Sequence, residues 1–123
     1  MIKFAYMINR VDGMSQEDFV DHHRRIHVPL FTSIPEAAQY VRKYAVSHPI
    51  AALGQPAPTY DGLTEIWFDS LADYEAFFAS KNYLEKVRPD ETWFSLEGMM
   101  VTDELVAIEY SINGSMIGDR KSV

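Results

Sequence analysis

His23 and His27 lie four residues apart within SQEDFVDHHRRIHVPLF, residues 15–31, and on a helix that spacing puts both imidazoles on one face. An imidazole titrates near neutral pH, so it can take a proton from carbon and return it to a nearby carbon or oxygen. His27 is the leading acid/base candidate. His23, one turn earlier, can orient it, touch a substrate, or depress its pKa when both rings protonate. Tyr44 supplies a hydroxyl for a carbonyl or enolate oxygen, and stabilising such an oxygen usually adds more to the rate than the base does. The catalytic candidates are therefore His27, His23 and Tyr44. Tyr40, Glu65, Trp67, Phe94 and Phe19 are candidates for substrate binding: a second phenol, a carboxylate among apolar neighbours, and three large rings for pocket walls. Each has a plainer use as well, the histidines and aromatics as core and Glu65 as a partner for Arg42 or Lys43 across the sheet. The His-x-x-x-His pair lacks the glutamate of HExxH and would need a third ligand such as Glu65 or His48, so no metal and no cofactor is expected.

The elements that must carry these groups follow from spacing. Ser15 is an N-cap and Glu17 and Asp18 suit the positive end of a helix whose stripe is Phe19, His23, Ile26, His27 and Leu30. Arg24 and Arg25 point outward, and Pro29 predicts a stop or kink. Residues 2–9 alternate as a strand ahead of the Asp12-Gly13 turn. Residues 38–48 read as a second strand, with Tyr40, Arg42, Tyr44, Val46 and His48 on one face. Three prolines and a glycine make residues 49–60 a long loop, the kind that is functional or mobile. Asp61-Gly62 opens a third strand with Leu63, Glu65 and Trp67 on one side and Thr64, Ile66 and Phe68 on the other. Ser70 caps a second helix striped by Leu71, Tyr74, Phe77 and Phe78, a short helical turn follows over 82–87, and Pro89 ends it. Residues 90–96 are irregular, 98–108 form a last strand bent around Thr102-Asp103, and 111–123 are a tail, disordered or an arm across a partner.

That order, β-α-β-β-α-β over residues 1–110, predicts a single α+β domain of ferredoxin-like topology with both helices on one face of an antiparallel sheet. The uncovered face carries large side chains and predicts a homodimer joined sheet to sheet. With 123 residues, 47% of them hydrophobic, the chain can bury a core without staples, and it has no cysteine for disulfides, thiolate catalysis or thiolate-bound metals. A formal charge of -7 with scattered lysines and arginines argues against nucleic acid. No run reaches the roughly 20 apolar residues of a membrane span, and no leader is visible, so the expected setting is cytoplasmic.

The chain resembles the EthD-like proteins, named for ethyl tert-butyl ether degradation, within the dimeric α+β barrels. The likeness rests on Met14-Ser15 to Phe19, on His27-Val28-Pro29-Leu30, on Tyr60-Asp61-Gly62 running into Glu65 to Ser70, and on Asp90-Glu91 with Phe94. It implies two ferredoxin-like subunits closed into a barrel, with a ligand pocket between sheet and helices in each. Relatives include lactone isomerases, polyketide cyclases and decarboxylase- or dehydratase-like proteins that mostly work without metal or cofactor. His27 sits at the position of the family's helix histidine, whereas His22-His23 replaces its usual Tyr-Trp pair. The expected activity is a cofactor-free isomerase, lyase or cyclase moving a proton next to a carbonyl in a small cyclic, aromatic or lactone-like molecule. A non-catalytic accessory protein of an oxidative pathway and a haem-binding barrel are the alternatives.

Overall fold

Strand β1 (Ile2–Arg10) alternates buried Phe4, Tyr6 and Ile8 with Lys3, Ala5 and Met7, and this period of two turns one of its faces to the core. The computed structural model describes residues 1–110, so the tail expected over 111–123 lies outside the described residues. β1 pairs antiparallel with β3 (Gly62–Phe68) on one side and β4 (Phe94–Asp103) on the other, and β2 (Val41–Ser47) completes the order β2-β3-β1-β4. This is the ferredoxin-like α+β arrangement that the element order predicts. Among the described residues no helix is long and apolar enough to cross a membrane.

Ser15 caps α1 (Gln16–His22) by accepting from the Asp18 N–H at 3.0 Å, and Ser70 does the same for α4 (Leu71–Phe78) with Asp73 at 3.1 Å. Beyond His22 the chain does not stop at Pro29. It widens into a π-helical turn (His23–His27), closed by the Val28 N–H on the His23 carbonyl, and continues as α2 (Val28–Ser33). A proline lacks the N–H an α-helix needs and clashes with the carbonyl four residues back, and the wider turn accommodates both faults. The chain repeats this solution: a second π-turn (Tyr83–Val87) is closed by Arg88 N–H on the Tyr83 carbonyl and is again followed at the second position by a proline, Pro89. The widening also leaves Ile26 half exposed while turning both histidines inward, so Ile26 does not belong to the buried stripe.

Four expectations are corrected. Residues 35–40 are helical, as α3 (Pro35–Tyr40), because Ile34 is extended and Pro35 is preset for a first helical position. Tyr40 thus ends a helix instead of opening a strand. A register shift between Val41 and Lys43 sends Arg42 outward to Asp69 and the Gln39 carbonyl, and turns both Val41 and Tyr44 to the core. The last strand begins four residues early, at Phe94, since Arg10 pairs with Phe94 and Val11 N–H bonds the Trp93 carbonyl; its irregularity falls opposite Met7 and Ile8, not at Thr102. Leu71, expected in the stripe of α4, is exposed at its first turn.

Under the helices lies an aromatic core: Phe68 and Phe77 fully buried, Phe4, Tyr74 and Phe78 in mutual edge contact, and Phe31 stacked on Tyr44 at 4.0 Å. The other face of the sheet is not the bare apolar surface expected. Trp67 is covered there by Lys43, 4.5 Å from its ring, and by Lys3, which bridges Glu65 at 3.0 Å and Glu104 at 2.9 Å. Exposed apolar side chains collect instead along edge strand β4 and just after it, at Leu96, Met99, Met100, Val101, Leu105, Val106 and Ile108.

Candidate active site

Both imidazoles of the first π-turn are 1% exposed, with ring centres 6.1 Å apart. Trp93 stands against them, its ring 4.8 Å from His23 and 5.4 Å from His27. Helical spacing makes His23 the expected orienting group for His27, but no hydrogen bond joins them, and the orienting group is Asp90. His27 Nδ1 lies 3.0 Å from Asp90 Oδ2, and His22 Nε2 meets the same carboxylate at 3.0 Å. A carboxylate only accepts, so His27 carries its hydrogen on Nδ1, and in the neutral ring Nε2 holds the lone pair. Burial lowers the His27 pKa, while the Asp90 bond and charge oppose that fall without cancelling it.

His23 belongs to a different chain of bonds. Arg24 Nε donates to His48 Nδ1 at 3.0 Å, and His48 Nε2 lies 2.9 Å from His23 Nδ1. Arginine is always a donor, so His48 Nδ1 must accept, His48 Nε2 carries the hydrogen, and His23 Nδ1 accepts it. His23 is left neutral with its hydrogen on Nε2. Burial, then the positive character of its neighbours, pushes its pKa down to about 3, and His48 moves in the same direction. Near neutral pH His23 offers an N–H and no base, and His48, just past the end of β2, is half-buried as its partner.

A cavity of about 190 Å3 opens between β1, α4 and the second π-turn, lined by Phe4, Tyr6, Tyr74, Phe78, Tyr83, Glu91, Phe94 and Leu96. An apolar cavity of about 150 Å3 holds benzene, so this space suits one substituted ring and is too small for a haem macrocycle. Its polar centre is Glu91, whose Oε2 accepts from the Tyr83 hydroxyl at 2.7 Å. Burial raises the Glu91 pKa, with Asp90 adding to the rise and Tyr83 and Arg88 opposing it. The phenols of Tyr6, Tyr44 and Tyr83 are all pushed up by burial and stay protonated. Tyr44 Oη is buried without a hydrogen-bond partner among the described residues.

One short segment serves both places. Asp90 holds two histidines, Glu91 enters the cavity, Trp93 covers the rings and Phe94 walls the cavity. Of the residues singled out in the sequence, Phe94 reaches the cavity, Phe19 is fully buried 5.1 Å from Trp93, and Tyr40 is half-buried beside the core. Glu65 and Trp67 are on the opposite face of the sheet from His27: Lys3, the register partner of Trp67, reaches Glu65 on that side, while Phe4 and Ile66 between them turn to the core. The parity of β3 alone puts Trp67 with Glu65; only the register shows which side the helices cover. Asp90, Glu91, Tyr83 and Tyr6 were missed as site residues. Among the described residues no cluster of three or more histidines and carboxylates is arranged to hold a metal ion.

An EthD domain matches residues 11–95, and the chain belongs to that family. Its fold is similar to that of an ethyl tert-butyl ether degradation family protein from Bacillus halodurans C-125, at TM-score 0.63 and 15% identity over 85% of this chain and 99% of that one. A dimeric protein of ferredoxin-like fold from Bacteroides fragilis is similar at TM-score 0.58 and 14% identity, over 84% and 93% of the two chains. The hydroxynitrile lyase of Passiflora edulis is similar at TM-score 0.56 and 16% identity, over 85% and 95%. Among curated proteins none matches the sequence significantly.

Proposed function

We propose that this protein is a cofactor-independent enzyme that moves a proton next to a carbonyl in a small monocyclic molecule, as in isomerisation, cyclisation, dehydration or decarboxylation. The observation that carries this reading is the cavity: one ring in size, walled by aromatics, and centred on a single carboxyl whose charged form burial disfavours. A carboxyl whose pKa burial raises inside an apolar cavity marks a candidate site. In this reading His27, outside the cavity lining but tied to it through Asp90 and the adjoining Glu91, supplies the base: Asp90 fixes its tautomer and leaves Nε2 with the lone pair. His23 gives an N–H one turn before it, and the buried Tyr44 hydroxyl, without a partner among the described residues, is a further donor. The lyase of Passiflora edulis supports the class of chemistry, through a shared fold. The working unit is a homodimer: the apolar side chains along β4 need cover, an unpaired edge strand invites pairing, and the Bacteroides fragilis neighbour is dimeric.

A thermal-shift screen of monocyclic lactones, cyclic enones and phenols tests the reading, run on the natural chain and on Leu96→Trp. Leu96 lines the cavity with half its surface exposed, so a larger ring there fills the space without disturbing the core. Ligand at about 100 times its Kd stabilises the native state by roughly 2.7 kcal/mol, enough for a shift of several degrees. The shift should be present in the natural chain and absent from Leu96→Trp. Equal shifts in both proteins place the ligand elsewhere and defeat the reading. Binding in the cavity without any turnover favours an accessory role.

A further inference from the structure

Glu91 presents two oxygens with different duties. Oε2 accepts the Tyr83 hydroxyl at 2.7 Å, and Oε1 has no hydrogen-bond partner among the described residues although the side chain lines the cavity. The groups facing it are Tyr83 from the second π-turn, Tyr6 from β1, Tyr44 from β2, and Arg88 and Asp90 beside it in sequence. Three are phenols that stay neutral, one is a carboxylate that discourages a second negative charge, and the one cation, Arg88, is exposed on the outside.

We propose that Glu91 is the proton donor of the cavity, held by Tyr83 with Oε1–H directed at the carbonyl oxygen of a neutral monocyclic lactone, ketone or enone. The inference rests on the proposed function, in which the substrate ring occupies this cavity. It adds the acid to the base and fixes the charge of the ligand: a carboxylate-bearing ring would meet Glu91 with no cation among the residues lining the cavity to receive it. The base takes the proton from the carbon next to the carbonyl, the C–H electron pair becomes the C=C bond, and the carbonyl oxygen takes the Glu91 proton. This leaves an enol and a Glu91 carboxylate that the Tyr83 hydroxyl stabilises. Return of one proton to a different carbon, and of the hydroxyl proton to Glu91, gives the isomer. Burial supports the assignment by keeping Glu91 protonated further up the pH scale than an exposed glutamate.

The test is the pH dependence of affinity for two probes, 2-cyclohexen-1-one and δ-valerolactone, measured by ligand-observed NMR on the natural chain, Glu91→Gln and Tyr83→Phe. A glutamine keeps a donor at every pH and can still accept from Tyr83. In the natural chain affinity should weaken with rising pH, approaching about tenfold per unit once Glu91 ionises. In Glu91→Gln it should be flat. In Tyr83→Phe the carboxylate loses a bond that stabilises it, so the fall should begin at higher pH. A flat profile in the natural chain with the probe bound overturns the proposal while leaving the cavity reading intact, and probes that bind neither protein overturn both. If Glu91→Gln fails to fold, the direction of the shift in Tyr83→Phe decides alone.

Discussion

Taking the pH from 7.5 to 4.5 is expected to cost the native state roughly 3 kcal/mol through His23 alone. Its pKa falls from 6.5 in the unfolded chain to about 3 in the folded one. Below pH 6.5 the unfolded chain therefore binds a proton that the folded chain refuses, and stability drops by about 1.4 kcal/mol per unit until the folded ring titrates. The geometry gives the reason: protonating His23 Nδ1 sets a donor against the His48 Nε2 hydrogen 2.9 Å away, and Arg24 prevents His48 from turning its lone pair round. His27 and His48, also lowered, act with the same sign. Glu91 acts with the opposite one, since a carboxyl with a raised pKa is relieved of its penalty as pH falls. The comparison that isolates His23 is with His23→Asn, whose amide oxygen replaces Nδ1 as acceptor but does not titrate. Urea unfolding at pH 7.5 and 4.5 should show the natural chain losing roughly 3 kcal/mol more than the variant. Equal losses would show that the ring is not held neutral by this chain.

Asp90→Asn is expected to have the largest effect on activity. The carboxylate accepts from His27 Nδ1 and from His22 Nε2, and an amide oxygen cannot serve both with a full charge. Two of the influences on His27 that keep its pKa up, the Asp90 bond and the Asp90 charge, are lost together, so the imidazole should titrate at lower pH and its Nε2 become a weaker base. An amide can also donate to Nδ1, which would move the hydrogen to Nε2 and remove the lone pair from the reacting nitrogen. Turnover should fall by about 10²- to 10⁴-fold, the usual worth of a positioned acid or base. Imidazole NMR checks the cause: the His27 resonances should titrate lower in the variant and switch tautomer, whereas a variant that loses activity with both unchanged would mean that Asp90 acts in some other way.

Much of the fold was legible because the signals are local. Ser15 and Ser70 cap the helices they were expected to cap, and the alternation of Phe4, Tyr6 and Ile8 marks β1 correctly. The errors share a cause, which is that register and helix pitch are set by partners distant in sequence. Alternation along residues 38–48 could not reveal that Pro35 would start a helix, nor that one extra residue at Arg42 would turn both Val41 and Tyr44 inward. Glu65 and Trp67 were placed with His27 because period two separates the faces of a strand without saying which face the helices cover. His27 itself was found from spacing and family likeness, but its partner was not: Asp90 is 63 residues away, a distance over which sequence spacing says nothing. Asp90-Glu91 was visible as a matching piece of the family, and reading the two carboxylates as groups facing opposite ways would have needed the short helical turn before them. The repeated pattern of a π-turn with a proline at the second position beyond it, at Pro29 and Pro89, is the sequence signal that could have flagged both places.

The central claim is that His27 moves a proton next to a carbonyl, and solvent exchange measures that without knowledge of the product. δ-Valerolactone and 2-cyclohexen-1-one would be incubated with the protein in deuterium oxide and the loss of the C–H signals next to the carbonyl followed by proton NMR. The natural chain should exchange these hydrogens well above the buffer rate, and His27→Ala, checked for an unchanged fold by circular dichroism, should be slower by about 100-fold or more. Exchange as fast in His27→Ala as in the natural chain, or no exchange of a probe that demonstrably binds, would contradict the account.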